Sequence, residues 1–309
     1  DAYVQRQQAR AQAAGVRPGN EERYVRFTPR DLTSNPTAPA AALAHAAADP
    51  PAAAPARVVI LYIHGFGASR AEGEAVVDPV AQQLGADVYY TRLPGHGGDM
   101  EAHAAARVEE YFAGLEEDFH RVRALGDKLV LIGTSTGGLL SVWLATRHPD
   151  AVAAVVLASP LFELAVPGAA LMSRRLGIPL IRAIMGPYRN AGWRHDPQGR
   201  KQPGYEDHWI TQQRIETLAT VEDVRRSALA DDPAPALTAP TLLLYYYADP
   251  SHQDNVTDVS AMQRFMARTH GGRPHPLSRS VAIADGNHIL MSSYVRTDKD
   301  TIRAELTRF

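Results

Sequence analysis

Residues 131–140 read Leu-Ile-Gly-Thr-Ser-Thr-Gly-Gly-Leu-Leu and place Ser135 in a Gly-x-Ser-x-Gly frame. A short apolar run, 128–132, precedes the serine, and a segment with helical character, 137–148, follows it. A strand that turns sharply into a helix at a serine forms a nucleophile elbow, in which flanking glycines let neighbouring backbone pass closely. The frame therefore predicts a strained serine whose hydroxyl stands clear of a sheet. The alternative is a glycine-rich turn with an exposed serine.

The composition is typical of a globular chain. Of its 309 residues, 45% are hydrophobic and 21% are charged, and this length suits one large domain or a domain with a modest insertion. The formal net charge of -2 gives no support for a nucleic-acid partner or an anionic membrane surface. Because the chain contains no cysteine, thiol catalysis, thiolate metal sites and disulfides are excluded.

The beginning of the chain bears on its location. No run of about 20 uninterrupted apolar residues is present, so we expect no transmembrane span in this chain. The first residue is Asp1 rather than Met, and a polar helical segment follows it. Heavy use of alanine and arginine, with only three lysines, is typical of a GC-rich bacterial genome. The start of the chain favours a protein released from an exported or membrane-anchored precursor, and thus an exported or periplasmic location. A trimmed cytoplasmic chain is the alternative.

From residue 58 onward, strand-like runs alternate with helical runs. Most strand-like runs are short and continuously apolar, which is typical of strands buried on both faces of a parallel sheet. The predicted strands are 22–27, 58–63, 86–93, 128–134, 154–159, 241–247 and 278–284. The predicted helices among them are 72–84, 105–125, 136–147, 259–269 and 298–306. The series predicts an α/β fold with a mostly parallel central sheet flanked by helices.

The alternation breaks between Ser159 and Thr241, where no strand is evident. The helical segments predicted there are 174–185, 207–218 and 221–230. Because this stretch is long for a connecting loop, we predict a helical cap insertion, 161–240, over the carboxyl edge of the sheet, where open α/β folds bind ligands. The other predicted units are a core, 58–160 and 241–309, and an N-terminal region, 1–57, with a helix, the first strand and a flexible Ala/Pro-rich loop.

His288 is the histidine best placed to act on Ser135. A serine hydroxyl is a poor nucleophile until a base removes its proton. His288 follows the last predicted strand through an Asp-Gly-Asn turn, so we expect it at the carboxyl edge of the sheet beside the elbow. His148, in contrast, suits the last turn of its helix, where a partly positive side chain is favoured. We predict His288 as the general base, with a purely structural loop histidine as the alternative.

Four motifs, in this order, make the chain resemble the serine α/β-hydrolases, close in layout to bacterial carboxylesterases and monoacylglycerol-lipase-like enzymes. They are His64-Gly65-Phe66-Gly67 after a strand, Gly133-Thr134-Ser135-Thr136-Gly137, an acidic turn after a late strand, and Gly286-Asn287-His288 after the last strand. The resemblance covers roughly 58–309. It implies an α/β-hydrolase fold, a Ser-His-Asp triad, an acyl-enzyme intermediate and a small-molecule ester as substrate.

Other classes of site lack their motifs. No His-Glu-x-x-His or similar spacing indicates a metal site, and no glycine-rich phosphate loop follows a strand. We therefore expect neither a metal nor a cofactor.

The resemblance offers three carboxylates as the acid of the triad. Asp254 precedes Asn255-Val256, which resembles the pattern that begins with the acid in many relatives, and its spacing to the histidine also resembles theirs. Asp249 lies at the end of a strand, but the proline after it restricts it to an extended conformation. Glu163 is the third choice, because some relatives place the acid after the preceding strand. We predict Asp254, which would hold the imidazole in the correct tautomer.

The resemblance also implies an oxyanion hole formed by the backbone N–H groups of Phe66 and Thr136. The alternative for the first of these is a glycine-rich turn of no catalytic consequence. The apolar residues of the cap either pack it onto the core or line an acyl pocket. They are Leu161, Phe162, Leu164, Leu171, Met172, Leu180, Ile181, Ile184 and Met185.

Carboxylic ester hydrolysis is therefore the predicted function. The alternatives are a related acyltransferase or C–C bond hydrolase with the same triad, or a catalytically silent fold that acts as a binding protein.

Overall fold

The computed structural model describes residues 2–27, 56–166, 172, 174, 176–192, 198–273 and 275–309. The predicted Ala/Pro-rich loop lies outside the described residues. The strands are β1 Arg23–Val25, β2 Val58–Ile63, β3 Asp87–Tyr90, β4 Lys128–Thr134, β5 Val152–Ala158, β6 Tyr188–Asn190, β7 Gln212–Arg214, β8 Thr241–Asp249, β9 His252–Gln253 and β10 Arg279–Ile283. The helices are α1 Ala2–Ala13, α2 Glu74–Leu84, α3 Met100–Ala105, α4 Val108–Arg123, α5 Thr136–Arg147, α6 Gly177–Met185, α7 Tyr205–His208, α8 Thr217–Ala228, α9 Pro233–Ala236, α10 Val259–Gly272 and α11 Lys299–Arg308, and a 3-10 turn, Arg70–Glu72, precedes α2.

The central sheet has the order β1-β3-β2-β4-β5-β8-β10, with β9 paired to β8. Neighbours from β3 to β10 along this order run parallel, whereas β1 is antiparallel to β3 and β9 is antiparallel to β8. The mostly parallel sheet and the helices that flank it confirm the predicted fold class. Because parallel strands share one direction, the carboxyl ends of β2, β4, β5, β8 and β10 lie along one edge of the sheet.

Both faces of the sheet are buried, as β2 illustrates. Leu61 and Ile63 belong to the core cluster that contains side chains of α4, α5 and α10. Ile60 and Tyr62 belong to the cluster that contains side chains of α2 and α11. Each fully buried aliphatic side chain contributes roughly 1.5–3 kcal/mol relative to exposure. The central strands are thus held on both sides, and the loops at their ends begin from fixed positions.

The predicted helix 105–125 corresponds to α4, which is three residues shorter at its start and two residues shorter at its end. Helix α3 ends at Ala105, and α4 begins at Val108. Between them, Ala106 and Arg107 have extended backbone angles, and the Arg107 N–H donates to the Glu110 carboxylate at 2.9 Å. This capping contact starts α4, so the short helix α3 before it is a separate element, which was not among the predicted helices.

The stretch between β5 and β8 contains a small antiparallel sheet. Strands β6 and β7 pair with Tyr188 opposite Arg214 and Asn190 opposite Gln212. The expectation of no strand there was wrong, and so was the predicted helix 207–218, because β7 occupies part of it. Strands of three residues are too short to show a clear periodicity.

Among the described residues, no helix combines the length and apolarity that crossing a membrane requires.

Candidate active site

Ser135 lies at the turn from β4 into α5 with φ 53° and ψ −115°, a conformation that L-residues rarely adopt. Its backbone is fixed by three hydrogen bonds. The Ser135 N–H donates to the Ala158 carbonyl at 2.9 Å, and the Ser135 carbonyl accepts from Leu139 at 3.1 Å and Leu161 at 3.0 Å. Strands β4 and β5 therefore hold the strained serine at the carboxyl edge, with 7% of its surface exposed.

Gly133 and Gly137 are required by close backbone packing at this turn. A Cβ on Gly133 would lie 2.2 Å from the Gly137 carbonyl oxygen, and a Cβ on Gly137 would lie 1.9 Å from the Ile63 carbonyl oxygen. These separations are far below van der Waals contact. Any side chain at 137 would force α5 away from the end of β2.

We expect Gly137→Ala to lower the melting temperature by about 6 °C or more, because relieving such a clash costs about 3 kcal/mol in a domain of this size. Thermal unfolding followed by circular dichroism measures the change. Gly114→Ala is the matched control, since nothing lies within 4 Å of a Cβ at this position in α4. It should melt at the same or a higher temperature. Equal melting temperatures of the Gly137→Ala variant and the parent protein would contradict this account of the turn.

His288 follows β10 and pairs with Asp254, which follows β8 and β9. The distances from His288 Nδ1 to Asp254 Oδ2 and Oδ1 are 2.8 Å and 3.1 Å. Asp254 also accepts from the N–H groups of Val256 and Thr257 and from the Thr257 hydroxyl. His288 and Asp254 are both buried. Because Nδ1 faces the carboxylate, the other ring nitrogen, Nε2, is left to act elsewhere.

In the Asp254–His288 pair, each residue shifts the pKa of the other towards its charged form. Burial raises the pKa of the Asp254 carboxyl, but the His288 ring and the backbone N–H donors outweigh burial, so the pKa is lowered. Burial lowers the pKa of His288, but Asp254 outweighs burial, with a further contribution from Glu72, so the pKa is raised. The geometry thus favours a carboxylate beside an imidazole that gains a proton readily.

The structure places the two other candidate acids on the surface. The exposed Asp249 pairs with His252 at 2.9 Å and caps the backbone N–H of Ser251. Glu163 is exposed and pairs with Arg264 at 3.2 Å. Of the three candidates, the structure brings Asp254 to His288.

Phe66 lies in a turn after β2, and the N–H groups of the residues on both sides of it donate hydrogen bonds to side chains. The Gly65 N–H donates to Glu72 at 2.6 Å, and the Gly67 N–H donates to His96 Nε2 at 2.8 Å. Burial lowers the pKa of His96 well below its ordinary value, so this ring stays neutral and can accept. Thr136 is the first residue of α5, where N–H groups have no acceptor within the helix. The turn and the helix start face one cavity, which Phe66 and Thr136 both line.

A cavity of about 80 Å³ joins these groups. Its core side is lined by Phe66, Glu72, Ser135, Thr136, Val256, His288 and Ile289. Its other side is lined by residues of the stretch between β5 and β8, namely Leu161, Leu164, Met172, Arg189, Ala191, Trp209, Gln213, Leu218 and Val221. The structure therefore brings Ser135, His288, Phe66 and Thr136 to one mostly apolar cavity, with Asp254 behind the histidine.

The apolar residues singled out in the predicted cap fall into different groups. Leu164 and Met172 line the cavity, and Leu161 lines it while also being buried with Phe162. Leu180, Ile184 and Met185 of α6 are exposed. Those three residues neither pack onto the core nor line the cavity, so both predictions were wrong for them. Leu171 lies outside the described residues.

Sequence reasoning missed Glu72 and the polar pair Arg189–Gln213 in the cavity wall. Arg189 hydrogen-bonds to Gln213, which in turn donates to the Ile210 carbonyl at 2.8 Å. Arg189 and Gln213 lie on the paired strands β6 and β7, and Glu72 lies in what was predicted to be an ordinary helix start. No local motif marks any of the three.

Within the part of the chain that the structure describes, one group of side chains could hold a metal ion, although the spacing along the chain did not indicate it. The ligand atoms of Glu116, His120 and His148 lie within 4.8 Å of one another. His148 caps the end of α5 opposite Ser135, about 18 Å away along a helix of this length. This group is therefore separate from the cavity.

The family model described as Serine aminopeptidase, S33 matches residues 54–274, more than half of the chain. The chain belongs to this family of α/β-hydrolases. The match spans the turn after β2, Ser135 and Asp254, and it ends before His288.

This S33 hydrolase also has curated relatives. It is 29% identical over 93 residues to the thermostable monoacylglycerol lipase of Bacillus sp. (strain H-257). The matched stretch is 30% of this chain and 37% of the lipase. It is 27% identical over 112 residues to the biotin biosynthesis bifunctional protein BioHC of Teredinibacter turnerae. This matched stretch is 35% of this chain and 18% of that protein. The chain thus covers well under two thirds of either relative.

Solved structures share the fold of this S33 hydrolase. A structure of the metagenome-derived lipolytic enzymes LipS and LipT matches with a TM-score of 0.68 at 17% identity, covering 95% of this chain and 98% of that chain. A soluble variant of monoglyceride lipase from Saccharomyces cerevisiae matches with a TM-score of 0.62 at 16% identity, covering 94% of this chain and 91% of that chain. At these identities the likeness shows the fold alone.

Proposed function

We propose that this hydrolase cleaves carboxylic esters through an acyl-enzyme on Ser135, with His288 as general base and Asp254 as the orienting acid. The observation that carries the proposal is the buried His288–Asp254 pair, 2.8 Å apart, beside the strained Ser135 in one cavity. A neutral histidine held by a carboxylate at Nδ1 is the base that a serine nucleophile needs. The monoacylglycerol lipase among the curated relatives supports the choice of an ester over other acyl compounds.

In the first half of the reaction, Ser135 Oγ attacks the ester carbonyl while His288 Nε2 takes its proton. The tetrahedral oxyanion accepts hydrogen bonds from the backbone N–H groups of Phe66 and Thr136. The C–O bond to the alcohol then breaks, and His288 returns the proton to the leaving alkoxide. Each oxyanion donor is worth about 3 kcal/mol of transition-state stabilisation in such sites.

In the second half, a water replaces the alcohol. His288 Nε2 takes a proton from the water as its oxygen attacks the acyl carbon of the acyl-enzyme. The bond to Ser135 Oγ then breaks, the serine recovers its proton from His288, and the carboxylic acid leaves. Asp254 stays ionised throughout, because its lowered pKa and its three other hydrogen bonds favour the carboxylate.

The segment 161–240 acts as the cap in this proposal. Its residues form the mostly apolar wall opposite Ser135, and the apolar part of this wall suits the acyl chain of an ester. A cavity of about 80 Å³ is small beside the roughly 300–1,000 Å³ typical of ligand pockets. We therefore expect short acyl groups to be turned over best.

Replacing Leu218, which lines the cavity from α8, with alanine tests the position of the acyl pocket. We expect the ratio of kcat/KM for p-nitrophenyl octanoate to that for the acetate to rise about tenfold, because the added room admits further methylenes. Leu180→Ala, at an exposed position of α6, is the matched control and should leave the ratio unchanged. An unchanged ratio in Leu218→Ala would place the acyl chain elsewhere.

The proposal itself is tested with p-nitrophenyl esters from acetate to palmitate and with a fluorophosphonate probe that labels activated serines. We expect turnover of the short esters and one labelled site, Ser135, identified by peptide mass spectrometry. Absence of both turnover and labelling would favour a silent binding protein. Labelling with ester formation on an added alcohol, in place of net hydrolysis, would favour an acyltransferase.

A further inference from the structure

Glu72 is a buried carboxyl in the cavity that the proposed triad leaves unused. It ends the 3-10 turn that precedes α2, and 2% of its surface is exposed. It lines the cavity together with Ser135 and His288. An ionisable side chain is costly to bury, so its retention here calls for partners or a role.

The Glu72 carboxyl is packed against the turn that carries Phe66. One oxygen accepts the Gly65 N–H at 2.6 Å. A Cβ on Gly65 would lie 3.1 Å and 3.2 Å from the two Glu72 oxygens and 3.2 Å from Ser135 Cβ. The carboxyl, the turn and the nucleophile therefore form one contiguous unit, and a displaced Glu72 would displace the turn.

The titratable groups that face Glu72 are His288, from the loop after β10, and Tyr62, from β2. Burial raises the pKa of the Glu72 carboxyl to about 7, while the Gly65 N–H, His288 and Tyr62 act in the opposite direction. Burial keeps Tyr62 neutral, because it raises its pKa well above the ordinary value. On the same turn, Arg70 pairs with the next carboxylate, Glu74. Of the two groups that face Glu72, Tyr62 stays neutral, so His288 is the one whose charge changes together with that of Glu72.

We propose that Glu72 is a positioning residue of this site, whose carboxylate fixes the Gly65–Phe66 turn and stabilises the protonated form of His288. The inference rests on the proposed function and deepens it. An ionised Glu72 favours the imidazolium that forms when the serine proton is transferred, as Asp254 does from Nδ1. Glu72 and His288 then titrate as a coupled pair.

The pH profile of kcat/KM for p-nitrophenyl acetate tests the charge coupling. Because ionised Glu72 favours protonated His288, the acidic limb of the parent enzyme lies at higher pH and is broader than that of a single histidine. In Glu72→Gln, the limb should move to lower pH and narrow to a one-proton curve. Glu74→Gln, which alters the carboxylate that pairs with Arg23 and Arg70, is the matched control and should leave the limb in place. A limb of unchanged position and breadth in Glu72→Gln would overturn the proposal.

Glu72→Ala separates the hydrogen bond from the charge. The glutamine oxygen still accepts the Gly65 N–H, whereas alanine leaves that donor without its acceptor. We expect kcat on the plateau to fall at least tenfold further in Glu72→Ala than in Glu72→Gln, with KM nearly unchanged, because the turn serves the transition state. Equal plateau rates in the two variants would contradict a role in fixing the turn.

A nuclear magnetic resonance titration keeps the test independent of catalysis. The His288 ring signals, assigned by comparison with His288→Gln, should titrate in two phases in the Ser135→Ala protein and in one phase when Glu72→Gln is added. A single phase in both proteins would overturn the coupling even where esters are hydrolysed. If the parent enzyme neither turns over esters nor reacts with the fluorophosphonate, the proposed function fails, and this titration still decides the role of Glu72.

Discussion

Ser135→Ala is expected to abolish ester hydrolysis, with kcat falling about 10⁵-fold or more. The strained turn at the end of β4 presents the hydroxyl to the cavity that also holds His288. Alanine removes the atom that bonds to the acyl carbon, and water attack assisted only by the oxyanion donors is far slower. Initial rates with p-nitrophenyl acetate, checked against spontaneous hydrolysis, measure the loss.

The loss must come from the missing hydroxyl and from no change of fold. An unchanged circular dichroism spectrum and melting temperature of Ser135→Ala establish this. Ser260→Ala, on the exposed face of α10, is the matched serine variant and should retain full activity. Retention of more than a few per cent of activity by Ser135→Ala would show that another group is the nucleophile.

The main strands could be predicted from the sequence because they are buried on both faces. The runs 58–63 and 128–134 coincide with β2 and β4, since every residue in the middle of such a strand must be apolar. The antiparallel pair β6–β7 could not be predicted in this way. Its outer positions, such as Asn190 and Gln212, are exposed, so no buried stripe marks the strands.

The residues of the candidate site likewise fall into those that the sequence could locate and one that it could not. Ser135 and His288 could be located because each follows a recognisable strand within a few residues, and Asp254 came from a resemblance to the pattern of relatives. Their catalytic roles remain predictions. Glu72 could not be found, because a Glu between Ala71 and Gly73 is typical of a solvated helix start. Its burial arises only when the 3-10 turn folds back onto Gly65, which is a tertiary contact.

Asp254→Asn should lower kcat about 10⁴-fold, whereas Asp249→Asn should leave it within about twofold of the parent value. Asp249 ends β8, Asp254 follows it five residues later, and both carboxylates pair with a histidine, so the two variants are closely matched. Asp254 is buried against His288 Nδ1, while Asp249 is exposed and pairs with His252. An asparagine at 254 presents its NH₂ group or a neutral oxygen to Nδ1, which loses the correct tautomer and the charge that stabilises the imidazolium. Rates with p-nitrophenyl acetate across pH 6–9 measure both variants.

The pH dependence of the Asp254→Asn variant separates the two causes of its lower kcat, the lost tautomer and the lost charge. Without the carboxylate, the pKa of His288 falls, because burial is then opposed chiefly by Glu72. The acidic limb should therefore move to lower pH even as the plateau collapses, and raising the pH should not restore the rate. A loss in Asp249→Asn comparable to that in Asp254→Asn would mean that the surface carboxylate reaches the histidine in the working enzyme. A full rate in Asp254→Asn would mean that Glu72, the other carboxyl in contact with the site, supplies the charge that His288 needs.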